Sequence, residues 1–384
     1  MRAALSSFEP PARPMRALRN VALAGGLVFL LGLIFDPRRA WGGYLIGFCY
    51  FAGLGLAGAL FLAILRLTNA RWADALRPIP EAMTGSLTWA FLFGIVLLSG
   101  VHSLYEWSHE ALVAGDELLQ RKAGWLCFTG FALRLVACFL LWIWLARKLV
   151  AHSRRGERAD GPAGSRRFLL TAALFMPVFA ITFSLASFDW TMSLEPHWFS
   201  TMYALYSLAG LGSAGLAACM VLAVALRRWG RLRATITDDQ LEDLGRIAIG
   251  LSLFWAYIWY CQYMLVWYTN LPEETGWFIA RGQGAWSVLT PVNLVLNWLV
   301  PFLVLMPRSA RRNETVVLRV ALVMLAGRLL DLFLQVEPSL MGAEPSVGPW
   351  ELGPPLGALA LFLYATLRAI SRSAYARPGE RGLA

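Results

Sequence analysis

Apolar stretches about as long as a bilayer is thick recur along this chain, and they limit what it can fold into more than any other feature. Roughly 20 apolar residues span the hydrocarbon core. Such stretches fall near 17–35, 41–65, 83–101, 124–146, 168–187, 198–226, 246–268, 286–306, 315–335 and 352–370. In lipid only helices or closed barrels satisfy the backbone, and stretches this long are helices. The expected fold class is therefore an all-α integral membrane protein, a single polytopic domain with about ten transmembrane helices. Pro, Gly or charge marks the interruptions: Asp36-Pro37, Arg77-Pro78-Ile79-Pro80, the 147–167 stretch, Glu195-Pro196, Leu271-Pro272, Pro307-Arg308 and Glu337-Pro338. The first stretch ends at Phe35-Asp36-Pro37 without an A-x-A-like cleavage site and reads as a retained helix.

Charge is scarce and placed between the apolar stretches. Charged residues make up 15% of the chain, against about 25% in an average soluble domain. With net charge +10, a soluble chain would suggest nucleic acid, but here Arg and Lys act as orientation signals and leave no nucleic-acid face. Placing the N-terminus inside puts 26 Lys and Arg in inner segments and five, Arg38, Arg39, Arg121, Lys122 and Arg281, in outer ones. That bias predicts both termini on the cytoplasmic side. The outer loops are read as holding twelve acidic residues: Asp36, Glu106, Glu110, Asp116, Glu117, Asp189, Glu195, Glu273, Glu274, Glu337, Glu344 and Glu351. They fit ordinary solvation or a docking face for an extrinsic partner. All five Cys lie inside apolar stretches and none forms a C-x-x-C pair, so no disulfide framework or cysteine metal site is legible.

Ionisable groups inside apolar stretches are the first candidates for chemistry, because each costs about 2.5–3.5 kcal/mol at a helix centre. Arg134 stands about ten residues into the fourth stretch, and Arg328 and Asp331 are about as deep in the ninth. Three residues apart, Arg328 and Asp331 share a helix face. A structural ion pair that locks helices together fits the three, and so does an intramembrane polar path for protons or for a buried anionic group. A second group gathers at the outer interface. His102, Glu106 and His109 are spaced four and three, so one helical face would present them together. Asp189-Trp190-Thr191-Met192-Ser193-Leu194-Glu195-Pro196-His197-Trp198 packs two carboxylates, an imidazole and two indoles into ten residues. His titrates near neutral pH and a carboxylate relays protons onward, while indoles offer flat surfaces to a ring. Solvated loop residues and an interfacial aromatic belt are the plainer readings. Gln262 and Tyr263 add polar handles at the outer end of the seventh stretch. That end, Gln262-Tyr263-Met264-Leu265-Val266-Trp267, is weakly similar to His102-Ser103-Leu104-Tyr105-Glu106-Trp107 at the end of the third, which would fit a duplicated bundle. No phosphate loop, nucleotide fingerprint or nucleophile elbow appears.

Two stretches, Asp189 to Tyr203 and Gln262 to Thr275, resemble the signature loops of the NrfD-like, polysulfide-reductase-type membrane subunits of alternative complex III, a bacterial quinol:cytochrome c or quinol:acceptor oxidoreductase. The chain looks like the shorter, second of the two such subunits. The resemblance implies two four-helix bundles, spans 2–5 and 6–9, with peripheral first and last helices. It also implies no covalently bound cofactor in this subunit, a role in quinone interaction or proton conduction, and partners comprising the longer homologous subunit and periplasmic iron–sulfur and multihaem cytochrome c subunits, which hold the clusters and haem c. In that setting His102, Glu106, Asp189, Glu195, His197, Gln262 and Tyr263 are the quinone and proton candidates on the periplasmic side. From other classes, a secondary transporter and a purely structural anchor for periplasmic redox subunits are the rivals. Pro177, Pro291 and Pro301 point faintly to the transporter.

Overall fold

Inside an apolar stretch the backbone can bond only to itself, and all ten stretches are helical in the structure, a computed structural model that describes residues 8–229, 236–342 and 345–375. The side chains of residues 71, 156–163 and 373–375 are outside that description. Of the charges counted above, Arg2, Arg231, Arg233, Arg377, Arg381 and Glu344 lie outside the described residues. The long helices are α1 (Ala12–Phe35), α2 (Pro37–Leu67), α3 (Pro78–Leu104), α4 (Phe128–Arg155), α5 (Gly164–Leu194), α6 (Tyr203–Trp229), α7 (Asp238–Thr269), α8 (Trp286–Leu305), α9 (Glu314–Met341) and α10 (Pro349–Tyr375). Among the described residues there is no strand. The helical run Phe128–Trp190 is not one rod, because Trp142 Nε1 donates to Thr182 Oγ1 at 2.7 Å. Its halves, α4 and α5, lie side by side.

Local chemistry sets the boundaries. Asp36 alone separates α1 from α2: its carboxylate accepts from Arg39 N, and Pro37 occupies the first turn, where its missing N–H costs nothing. Thr237 and Gln240 form a capping box at the start of α7, and Asn270 in the left-handed region (φ 48°) ends it. Asn313 caps α9 through the N–H groups of Thr315 and Val316. Most helices outrun their apolar stretches, because the stretch marks only the part suited to hydrocarbon and the helix carries on into polar ends.

Nine helices among the described residues are long and apolar enough to cross a membrane. α9, with 28 residues, is the exception. Every 18-residue window of it contains at least three of Glu314, Arg319, Arg328, Asp331 and Glu337. That much charge on one helix calls for a protein lining, and α9 has one: it packs against α2, α6 and α8. α2 also touches α6, α10 and the α4–α5 pair, while α7 and α8 pack on each other and α1 is held by α2 and α10. The most apolar window of α6 is 89% buried and that of α1 only 17%. Gly25 of α1 meets Gly353 and Gly357 of α10 with no room for a Cβ, the close approach that small residues give packed membrane helices. Connections alternate between two ends. The α3–α4, α5–α6, α7–α8 and α9–α10 connections form the acidic end. The opposite, basic end is stapled by Glu242, which takes Arg308 and Arg312 at 3.1 and 2.8 Å.

Candidate functional site

Asp331 of α9 has no exposed surface. Four side chains converge on its carboxylate. Arg328 and Gln335 Nε2 (3.1 Å) donate to Oδ2, while the Tyr206 hydroxyl and Asn293 Nδ2 (3.2 Å) donate to Oδ1. This is the all-donor shell that an acceptor-only carboxylate takes. Tyr206 comes from α6 and Asn293 from α8. α8 departs from α-helical form at Val295–Leu299, a π turn between Pro291 and Pro301, and there Asn297 donates to Asn293 Oδ1 at 2.7 Å. Arg328 also lines a cavity of about 30 Å³ with Cys49, Tyr50, Ser187, Thr191, Ser207 and Gln335 among its walls. Around 10–15 Å³ is enough for one water.

From this node a polar line runs toward the acidic end. Asp331, Gln335 and Ser339 are four apart and share a face of α9. Gln335 Oε1 accepts from the Tyr203 hydroxyl at 3.2 Å, and Ser339 donates to Glu195 Oε1 at 2.6 Å. Arg281 joins the two levels. Pro338 has no N–H, so the carbonyl of Leu334 loses its helical donor, and Arg281 Nε takes that carbonyl at 2.7 Å. Its Nη2 reaches Gln335 O at 3.3 Å and Glu195 Oε1 at 3.1 Å. Burial pushes the Arg281 guanidinium down from its ordinary value and Glu195 opposes that shift. The Trp277 ring lies 3.7 Å from its Cζ.

Arg134 does not join Arg328 and Asp331. α4 begins at Phe128, so Arg134 is only six residues in, about 9 Å along the axis at about 1.5 Å per residue. It grips Asp189 of α5 at 2.6 Å (Nε–Oδ2) and 3.0 Å (Nη2–Oδ1), with Trp125 Nε1 donating to Oδ1 at 3.0 Å. His102, Glu106 and His109 do not share a helical face. α3 ends at Leu104 and Tyr105 is extended, so the three instead line one open cleft of about 500 Å³ with Asp36 and Arg38. His109 Nε2 lies 2.8 Å from the carbonyl of His102. His197 reaches Asp116 Oδ2 at 2.6 Å. Asp116 is held below the usual carboxylate range, first by the N–H of Leu119, whose short helix it caps, and then by His197. Gln262 is buried and its Nε2 has no partner, whereas Tyr263 is exposed and stacks on Trp259 at 5.8 Å. The two neighbours therefore face opposite ways.

Sequence reasoning missed Asn293, Asn297, Tyr203, Tyr206 and Arg281. Asn293 with Asn297 and Trp277 with Arg281, each spaced four, were the available signals. Three of the twelve acids read as outer-loop residues are buried within helices: Asp189, Glu337 and Glu351. Glu337-Pro338 marks an interruption in the sequence, but α9 continues to Met341 and carries Glu337 inside. No family model matches the chain, and comparison with curated proteins finds no match.

Proposed function

We propose that the chain is a membrane subunit of a bacterial respiratory quinol:cytochrome c, or quinol:acceptor, oxidoreductase of the alternative complex III type, and that it conducts protons beside the site of quinol oxidation. On this reading it lies in the inner membrane with both termini cytoplasmic and the acidic end periplasmic. It crosses ten times, with α9 as the lined tenth span, and α2–α5 and α6–α9 form two four-helix bundles. A longer homologous subunit and periplasmic iron–sulfur and multihaem cytochrome c subunits are its partners, and they carry the metal centres. Quinol reaches the complex laterally from the bilayer.

One observation carries the reading: the polar line from Glu195 through Ser339, Arg281 and Gln335 to Asp331 and on to Asn293 and Asn297. Oxidising a quinol releases two protons with two electrons, and those protons need a path through apolar protein. The hydroxyls of Tyr206, Tyr203 and Ser339 can each accept one proton while giving up another, and Glu195 and Asp331 supply carboxylates along the line. Water in the small cavity beside Arg328 would reach the node from the α2 side. In the assembled complex reconstituted into liposomes, Asp331→Asn should leave assembly intact and lower the number of protons moved per electron. An unchanged ratio would falsify the proposal.

The broken α8 favours a second reading, a secondary transporter, since such proteins place discontinuous helices around a polar site at mid-depth. Gradient-driven solute uptake by liposomes holding the chain alone would establish it in place of the first.

A further inference from the structure

Six residues beyond Asp331, on a different face of α9, stands Glu337. It has no exposed surface, and neither carboxyl oxygen has a hydrogen-bond partner. It sits against the bare α-carbon of Gly42 in α2, where a Cβ would lie 2.9 Å from Oε1 and 3.2 Å from Oε2. From α10 comes Glu351, also buried, which accepts from Arg39 Nε at 2.6 Å and from Gly348 N at 2.8 Å. Arg39 in turn donates to Ser346 at 2.7 Å and lies 3.8 Å from Asp36. The charged groups around the site are thus Asp36 and Arg39 at the start of α2 and Glu351 on α10. Among the described residues Arg39 is the cation at this junction; it is committed to Glu351 and Asp36, and its side chain, 29% exposed, forms the rim.

A buried carboxylate keeps its charge only when donors or a cation compensate it, and Glu337 has no donor. Glu351 packs on the next residue of α2, Gly43, whose Cβ would stand 3.2 Å from the Glu351 α-carbon, and a second carboxylate in the same junction favours the neutral acid further. We infer that Glu337 is a proton-binding site at the junction of α2, α9 and α10, exchanging its proton with the acidic-end surface by way of Glu351 and the rim that Arg39 forms. The exchange involves no electrons: the O–H bond of the Glu337 carboxyl breaks, the proton passes to a water and from it to the Glu351 carboxylate or to solvent at the Arg39 rim, and uptake is the reverse. The site differs from the Asp331 line, which faces α6 and α8. It does not depend on the quinol reading, since a proton-binding carboxyl would serve a transporter equally well.

Infrared spectroscopy of the purified full chain in lipid nanodiscs tests it without quinol or partner subunits. A protonated-carboxyl C=O band should be present at neutral pH, shift in D₂O, and disappear in Glu337→Gln, a neutral isostere that keeps the packing. Gly42→Ala, which sets a methyl against the carboxyl, should move the same band, so the site stays testable if the Gln variant fails to fold. Glu351→Gln should slow the D₂O shift several-fold. A Glu337→Gln or Gly42→Ala spectrum that superimposes on the parent spectrum overturns the site. An unchanged exchange rate in Glu351→Gln overturns the route.

Discussion

Two of the Arg–Asp pairs in the helical bundle, Arg134–Asp189 and Arg328–Asp331, are built for different purposes. Arg134 and Asp189 lie 55 residues apart in sequence and tie α4 to α5 through two parallel N–H···O bonds, with the Trp125 indole donating from one side and its ring beneath the guanidinium. Arg328 and Asp331 are three residues apart on one helix, so their pairing cannot hold helices together. It neutralises α9 internally, and the neighbouring helices meet a polar but uncharged unit. The remaining positions around Asp331 are filled by groups that can pass protons or reorient, a phenol and two amides, and a cavity fit for water lies beside Arg328 and Gln335. A cross-helix pair acts as a clamp. An in-helix pair inside a polar shell acts as a node.

The comparison is broken most directly by removing each pair's support. Arg134→Met leaves Asp189 buried with only Trp125 as donor, and losing one partner of a buried pair costs about 3–5 kcal/mol. Denaturant unfolding in detergent should show that loss, and Arg134→Met with Asp189→Leu should recover most of it. A smaller effect is expected at the node. Tyr206→Phe removes one donor of four, and a bond to a charged acceptor is worth about 1.5–3 kcal/mol. With three donors left, the loss should sit at the low end of that range, while proton movement in the assembled complex falls. Should Tyr206→Phe cost as much stability as Arg134→Met, the division into clamp and node is wrong.

These two pairs also mark how far the sequence is readable. The apolar stretches give the helices because length and apolarity are local properties. The Arg328–Asp331 pair was legible for the same reason, since a spacing of three fixes a shared face before any tertiary contact exists. The Arg134–Asp189 clamp was not, because its partners meet only after α4 and α5 fold back on each other. Arg281 was counted as an outer charge, yet the short helix Pro272–Gly282 turns Trp277 and Arg281 inward to take the carbonyl that Pro338 frees. Glu337 was hidden by the same proline, and Glu351 by standing one residue before the tenth apolar stretch, inside a helix that begins at Pro349. Pro normally ends a helix because it orphans a carbonyl, but here a side chain 53 residues away supplies the donor, so the helix goes on.

The smallest effect belongs to a third pair that extends the series into water. His197 and Asp116 meet at the acidic end with side chains 55% and 30% exposed. Exposed pairs contribute little, and solvent screens them. The Asp116 carboxyl is held below its ordinary value, first by the N–H of Leu119 at the start of the helix it caps and second by His197. Because the folded state binds this proton more weakly than the unfolded chain does, the stabilisation is fully present above the ordinary Asp value, about 3.9. It is lost as pH falls through the lower folded value. Unfolding midpoints followed downward from neutral pH should therefore show the Asp116 share of the acid loss vanish in Asp116→Asn. His197→Gln should keep most of that share, because the backbone cap, the larger cause, is untouched. If His197→Gln removed it entirely, the imidazole would be the main support of that carboxylate, and an exposed pair would matter here as much as a helix cap.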